Sequence, residues 1–390
     1  MTGINPLLTR RAAMAGLAAM PLASCAGAAG GVRAPAPADG AASLDAIAGR
    51  KGRRFGSAIA AGNPAGPTVQ NAAYAALVKS ECGLVVAENE MKWQALRPGP
   101  EAFDFARADA IVAWARHEGL EVRGHTLLWH RPQWFPAWLN SYDFGASPAR
   151  EAERLLTTHI RTVAGRYRDT IASWDVVNEA IDHDARGLMK TSLSRALGSA
   201  EDTIDLAFRT ARDVLPGAQL VYNDYMSWEP QHRDHCTDVL RLLEALKKRG
   251  TPVDALGIQS HIEIMAIDPA TGVGPYAERE WRAFLDEVTG MGLRLLVTEF
   301  DVKDRALPSD IAVRDAKVAD YARRYMDVML DYGAHLDDIV AWGMVDRFNW
   351  LQYFGPAKRA DGLPVRGTPY DDDYRAKPLR EAMAGALAAA

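Results

Sequence analysis

Short apolar runs alternate along the chain with longer stretches whose apolar residues recur every three or four positions. The runs begin near Phe55, Leu84, Glu121, Ile171, Leu220, Leu256, Leu293 and Ile339. Between them, the segments 106–118, 150–167, 200–214, 232–249, 277–289 and 311–332 carry the helical period. Strands and helices in strict alternation specify parallel strands joined by helical crossovers. Eight such units over roughly 250 or more residues fit an α/β fold of the closed (β/α)8, or TIM-barrel, type. An open doubly wound sheet would carry a glycine-rich turn after an early strand. Phe55-Gly56-Ser57-Ala58 does not supply one. The pattern therefore predicts a single barrel over residues 51–390, with no second domain and no appended carbohydrate-binding module.

The first residues read differently. Thr9-Arg10-Arg11 precedes a short, moderately apolar run ending near Met20, the layout of a signal peptide and too short for a membrane span. The arginine pair resembles a twin-arginine export signal. However, Ala13 stands where a bulky apolar residue is common, which leaves the export route open. Leu22-Ala23-Ser24-Cys25 resembles a bacterial lipobox, in which the cysteine is acylated and becomes the new N-terminus. The alternative is ordinary cleavage among the small residues after Cys25, leaving no anchor. On the lipobox reading, residues 1–25 are the signal and 26–50, rich in Ala, Gly and Pro, form a flexible tether. The protein is then exported and anchored, facing the periplasm or cell surface, and touches a membrane only through a lipid at Cys25. Otherwise it is secreted.

Composition narrows the partners. The 390 residues are 48% hydrophobic and 24% charged, with a formal net charge of −5. That balance suits a soluble protein with a large core and offers no basic footprint for nucleic acid. Zinc-ligand spacings, Walker loops and nucleotide fingerprints do not occur. Of three cysteines, Cys82 and Cys236 remain beside Cys25. An exported protein could join these two as a disulfide, but neither lies in a tight cysteine-rich loop, and two buried free thiols are the favoured expectation.

Chemistry gathers at the C-terminal ends of the apolar runs, where barrel active sites form. Ile171–Glu179 ends on one glutamate and Leu295–Asp301 holds another, Glu299. Two strand-end carboxyls facing each other across a sugar-sized gap are the working parts of a glycosidase. One is protonated to release the leaving sugar, and one is ionised to attack or to activate water. Strand parity adds detail, because side chains two apart point the same way. His125 then shares a face with Trp129, Gln259 with His261, and Glu299 with Asp301. With Glu299 in the barrel mouth, Asp301 lies above it and His261 can bridge to both.

The motifs Glu88-Asn89-x-Met91-Lys92-Trp93, Arg123-Gly124-His125-x-Leu127-x-Trp129-His130, Trp174-Asp175-Val176-Val177-Asn178-Glu179, Tyr222-Asn223-Asp224-Tyr225, Gln259-x-His261, Thr298-Glu299-x-Asp301 and Trp342-Gly343-x-x-Asp346 occur in one order. In that order they resemble glycoside hydrolase family 10, the endo-β-1,4-xylanases, over about residues 50–385. The closing stretch from Arg359 to Lys377-Pro378 resembles the family too. The resemblance implies a retaining endo-1,4-β-xylanase acting on xylan or xylo-oligosaccharides, with no cofactor and no metal. Glu179 is implied as acid/base and Glu299 as nucleophile, with the carboxyls roughly 5–5.5 Å apart. His261 would favour ionised Glu299, Asp301 would orient His261, Gln259 would lie near the acid/base, and Asn178 would bind the 2-hydroxyl of the sugar being cleaved. Trp129, Trp342 and Trp350 would wall that sugar, with indole N–H groups free to donate. Glu88, Asn89, Lys92 and His125 would bind sugars on the non-reducing side, and Tyr225 would stack against the leaving side.

Several of these residues also admit plainer readings. Trp174 and Asp175 read as structural and His130 as a packed histidine. A metal at His125, His261 and Asp301 is disfavoured, because the histidines come from separate strands and a metal at Glu299 would block attack. Schiff-base chemistry at Lys92 is disfavoured by its neighbours Glu88, Asn89 and Glu90, which suggest a solvated polar setting. A β-1,4-glucanase or mannanase and a catalytically silent glycan-binding protein are the competing functions; the second needs no acid/base pair. The chain departs from the family at Thr203, where an aromatic is frequent, at Asn349, where many relatives have serine, and at Arg131, where a small polar residue is common. The last two put chain-length and branch preference in question.

Overall fold

Residues 42–269 and 271–390 are described by a computed structural model. The strands are β1 (Arg54–Ile59), β2 (Leu84–Ala87), β3 (Glu121–Trp129), β4 (Ile171–Asn178), β5 (Gln219–Asp224), β6 (Ala255–Ile258), β7 (Arg294–Lys303) and β8 (Leu336–Ala341). Each runs parallel to the next, and β8 pairs with both β7 and β1, so the sheet closes. This is the (β/α)8 barrel expected from the sequence, with β8 starting three residues earlier than Ile339.

Helices Ala106–Glu118 and Ala200–Val214 have the bounds that their apolar period gave. Their ends are fixed by local chemistry. Ser199 Oγ accepts from Asp202 N at 3.1 Å, satisfying a donor that the first turn leaves unpaired. Gly119 ends the earlier helix in the left-handed region at φ 74°. Along β2 and β8 the buried Leu84, Val86, Val340 and Trp342 pack together with Ala58. Glu88 and Trp342 continue these inward rows into the barrel mouth.

The expected tether needs correction at its C-terminal end. Signal, lipobox and residues 26–41 lie outside the described residues. Residues 44–49, however, form a helix, Leu44–Gly49, with Ser43 as its N-cap. Leu44 and Ala48 are fully buried. Leu44 N donates to Glu81 Oε2 at 2.8 Å, and Asp45 Oδ1 accepts from Phe55 N at 2.9 Å. Glu81 is in turn paired with Arg380 at 3.0 Å, and Arg380 Nη2 donates to Ala42 O at 2.8 Å. Apolar positions three and four apart, with a serine cap, outweigh the small-residue composition around them. The folded body thus begins at or before residue 42 rather than at 51. Cys82 and Cys236 are buried free thiols, as expected.

Candidate active site

Register across four strands sets the floor of the site. Trp129 on β3 pairs with Asn178 on β4, Asn178 with Asn223 on β5, and Asn223 with Gly257 on β6. A Cβ on Gly257 would lie 2.3 Å from Asn223 Oδ1, so only glycine leaves that amide its place. Consecutive strand residues face opposite sides, yet Asn178 and Glu179 both line one cleft. The backbone of Glu179 explains this. Its φ of 51° lies in the left-handed region, and its N–H donates to Asn223 O at 2.9 Å. That conformation costs about 1–3 kcal/mol for a non-glycine residue and swings the carboxyl back into the barrel mouth.

Glu179 Oε1 accepts from Gln259 Nε2 at 2.9 Å. Its other oxygen lies 2.9 Å from Arg131 Nε, an ion-pair distance, with no hydrogen bond formed between them. Burial pushes the Glu179 carboxyl above the ordinary range, with the Arg131 charge pulling the other way.

Glu299 takes the opposite course. Burial again favours its protonated form, but here a hydrogen bond from His261 and the positive charges nearby prevail. The carboxyl is held below the ordinary range. His261 Nε2 lies 3.4 Å from Glu299 Oε2, and its Nδ1 lies 2.8 Å from Asp301 Oδ1. The imidazole is held in place because a short strand, His261–Glu263, pairs with the upper part of β7 in the register His261 to Asp301. Burial opposes a charge on His261, yet Asp301 overrides it and raises the group to about 9. Both ring nitrogens then donate, one to each carboxylate. Asn223 Nδ2 completes the set, at 2.8 Å from both Glu299 Oε1 and Asn178 Oδ1. Because Asn223 must donate to Glu299, Asn178 Oδ1 faces it, and Asn178 Nδ2 lies beside the Trp129 indole N–H.

The cleft above these groups has a volume of about 560 Å³. Of the fourteen residues expected in the site, all but Asp301 line it. Asp301 sits behind His261, accepting from Trp350 Nε1 at 2.7 Å and Asn349 Nδ2 at 3.4 Å. The indole N–H of Trp350 is therefore engaged, not free to donate to a sugar as expected. Asn349, a departure from the family pattern, is a brace between Asp301 and the Trp342 carbonyl, 2.8 Å away. The solvated setting expected for Lys92 is also corrected. Lys92 is buried, with Nζ 4.6 Å above the Trp129 ring and 3.0 Å from Asn89 Oδ1. Burial lowers its pKa, against the pull of Glu299, Glu88 and Glu179.

His130 and Trp174 are packed, as expected. Asp175 does more than pack: it accepts from Arg123 Nη2 at 2.5 Å and lies 2.8 Å from His125 Nδ1, which fixes that ring at the cleft. Asn223, Arg131 and Trp134 are cleft residues or partners that strand parity alone did not assign. Trp134 stacks on Trp129 at 4.5 Å. Asn223 had a signal, its place at a strand end within a polar motif; Trp134 had none.

Residues 43–386 match Glycosyl hydrolase family 10. The chain belongs to that family. Among curated relatives, endo-1,4-beta-xylanase B of Paenibacillus barcinonensis is 34% identical over 292 residues, 73% of this chain and 80% of that protein. Beta-1,4-xylanase of Dictyoglomus thermophilum is 30% identical over 299 residues, 75% of this chain and 79% of that protein. Native xylanase 10B from Thermotoga maritima superposes with a TM-score of 0.76 at 27% identity, covering 88% of this chain and 98% of that one. Xylanase 10B from Thermotoga petrophila, solved in complex with xylobiose, gives 0.75 at 27% identity over 89% and 97%. As a family 10 member the protein is a glycoside hydrolase.

Proposed function

We propose that the protein is a retaining endo-1,4-β-xylanase that cleaves internal bonds of xylan by double displacement. The observation that carries the mechanism is the pair Glu179, just past β4, and Glu299, on β7, which line one cleft with their protonation pushed in opposite directions. Two carboxyls in environments that separate their pKa values take the acid and the nucleophile roles. Ionised Glu299 attacks the anomeric carbon while Glu179 gives its proton to the departing glycosidic oxygen, so the leaving chain departs as an alcohol and a glycosyl ester forms on Glu299. Glu179, now a carboxylate, takes a proton from water. The water oxygen attacks the same carbon, the ester bond breaks, and Glu299 regains its charge. Asn178 Nδ2 and the Trp129 N–H are adjacent donors without a protein acceptor, a fitting place for the 2-hydroxyl oxygen of the sugar being cleaved. The xylan preference rests on the relatives' names and on the xylobiose, xylopentaose and xylotetraose that similar solved structures hold.

Reducing-sugar release from glucuronoxylan, carboxymethylcellulose and mannan, with product anomers followed by NMR, tests this. Release from xylan as the β-anomer is expected. The α-anomer would overturn the double displacement, and faster release from cellulose or mannan would overturn the substrate. We further propose lipid anchoring at Cys25, on sequence grounds alone. Cys25→Ser is expected to free the protein from the membrane fraction; equal distribution of both forms would reject it.

A further inference from the structure

Arg131 belongs to no part of the double displacement as described, and it departs from the family pattern. It follows β3 and precedes the short turn Pro132–Trp134. Its guanidinium is fixed from two sides. Nη2 donates to the Ile181 carbonyl and to the Tyr225 hydroxyl, each at 3.1 Å, and the group lies 5.1 Å above the Tyr225 ring. So held, its Nε lies 2.9 Å from Glu179 Oε2, an ion pair without a hydrogen bond. Among the described residues Glu179 is the one carboxylate within ion-pair distance of Arg131. Both side chains are 14% exposed, so water screens the pair poorly.

We propose that Arg131 is a positioning residue for Glu179, a pinned cation that holds the ionised carboxylate in the pose from which it takes a proton from the attacking water. The inference rests on the double displacement above. The two halves of that cycle make opposite demands on Glu179. Burial of the carboxyl serves the first half, when Glu179 must carry a proton. Arg131 serves the second, when it must not. The other groups that bear on Glu179 do not replace Arg131. Gln259 on the β6 side donates without charge, Asp224 and Glu299 from β5 and β7 repel, Tyr225 is neutral, and Lys92 acts at longer range without an ion-pair contact. A small polar residue at 131 would leave the carboxylate with neutral donors alone.

The test uses Arg131→Gln and Arg131→Ser, either of which suffices if folded by its thermal melt, beside Arg131→Lys. The alkaline limb of kcat/KM on xylan reads loss of the acid's proton. The acidic limb of kcat on a dinitrophenyl xylobioside, whose leaving group needs no proton, reads loss of the base. In the neutral variants both limbs are expected to move up by about one pH unit, since an opposite charge this close shifts a carboxyl by 1–3 units. In Arg131→Lys they are expected to stay. Falling rates with unmoved limbs would mean a structural role only and overturn the proposal, as would a lysine variant that behaves like glutamine. A 13C titration of the Glu179 carboxyl in Glu299→Gln protein, assigned by difference against Glu179→Gln, needs no turnover. Were no β-1,4-glycan cleaved at all, the function proposed above would fail, while this titration would still read Arg131: an upward shift with Arg131→Gln supports it, no shift overturns it.

Discussion

The side-chain amide of Asn223 holds Glu299 Oε1 at 2.8 Å. The same nitrogen holds Asn178 Oδ1 at 2.8 Å, so the proposed nucleophile and the residue beside the proposed acid share one donor. The amide is itself aligned by Thr298, whose hydroxyl donates to Asn223 Oδ1 at 2.7 Å. Glu299 therefore cannot turn without disturbing the pocket that would grip the sugar.

Replacing that amide by a carboxylate should be felt as charge. Asn223→Asp keeps the shape and sets a negative group against Glu299. A like charge disfavours the ionised nucleophile, so the acidic limb of kcat/KM is expected to rise by about one pH unit. At neutral pH the rate is expected to fall by about 10²-fold through lost alignment. An unmoved limb would mean that Asn223 does not control the charge on Glu299.

Truncating the proposed nucleophile separates chemistry from binding. Glu299→Ala is expected to lose about 10³-fold or more in kcat. With azide supplied as an external nucleophile, the product expected by NMR is a glycosyl azide of inverted anomeric configuration. Wild-type-like rates, or an azide of retained configuration, would reject the role.

The acid is tested by the leaving group. Glu179→Ala is expected to lose about 10²–10⁴-fold on xylan and far less, in the first step, on aryl xylosides with acidic phenols, which depart without a proton. Equal losses in pre-steady-state release from both substrates would count against Glu179 as acid.

His261 couples stability to pH. Its folded value of about 9 lies above the ordinary 6.5. The stabilisation is thus complete below pH about 6.5 and is lost as pH rises through about 9. The size is on the order of 3 kcal/mol at most. Unfolding free energies measured from pH 6 to 10 are expected to fall more steeply for wild type than for Asp301→Asn, which removes the charge that raises His261. Equal slopes would place the pH dependence elsewhere.

Much of this was legible in the sequence, for reasons that differ by residue. The strand starts follow from short apolar runs, and parity alone brought His261 between Glu299 and Asp301. Other features depend on contacts that no local pattern carries. The left-handed backbone of Glu179 is a property of one residue at a strand end, and Ser260 at φ 61° repeats it between Gln259 and His261. Asn223 matters because the register places it against Gly257. Lys92 looked solvated among polar neighbours in sequence, but Trp129 and Trp342 from other strands cover it. The Leu44–Gly49 helix was hidden by composition, since a stretch of small residues conceals three buried positions.

That helix carries weight of its own. Leu44 is fully buried against the body of the barrel. Leu44→Ala is expected to cost about 2–5 kcal/mol, read by chemical denaturation. A loss within 0.5 kcal/mol, roughly that of a surface change, would mark the segment as dispensable.

The bonds from Arg380 to Glu81 and to the Ala42 carbonyl also fix an orientation. Together with the bond from Phe55 to Asp45, they hold the first described residues against the beginning of β1, while Glu179 and Glu299 line the cleft at the other end of the strands. Ala42 thus stands at the opposite end of the barrel from the cleft, and a long polymer lying across Glu179 and Glu299 does not pass it.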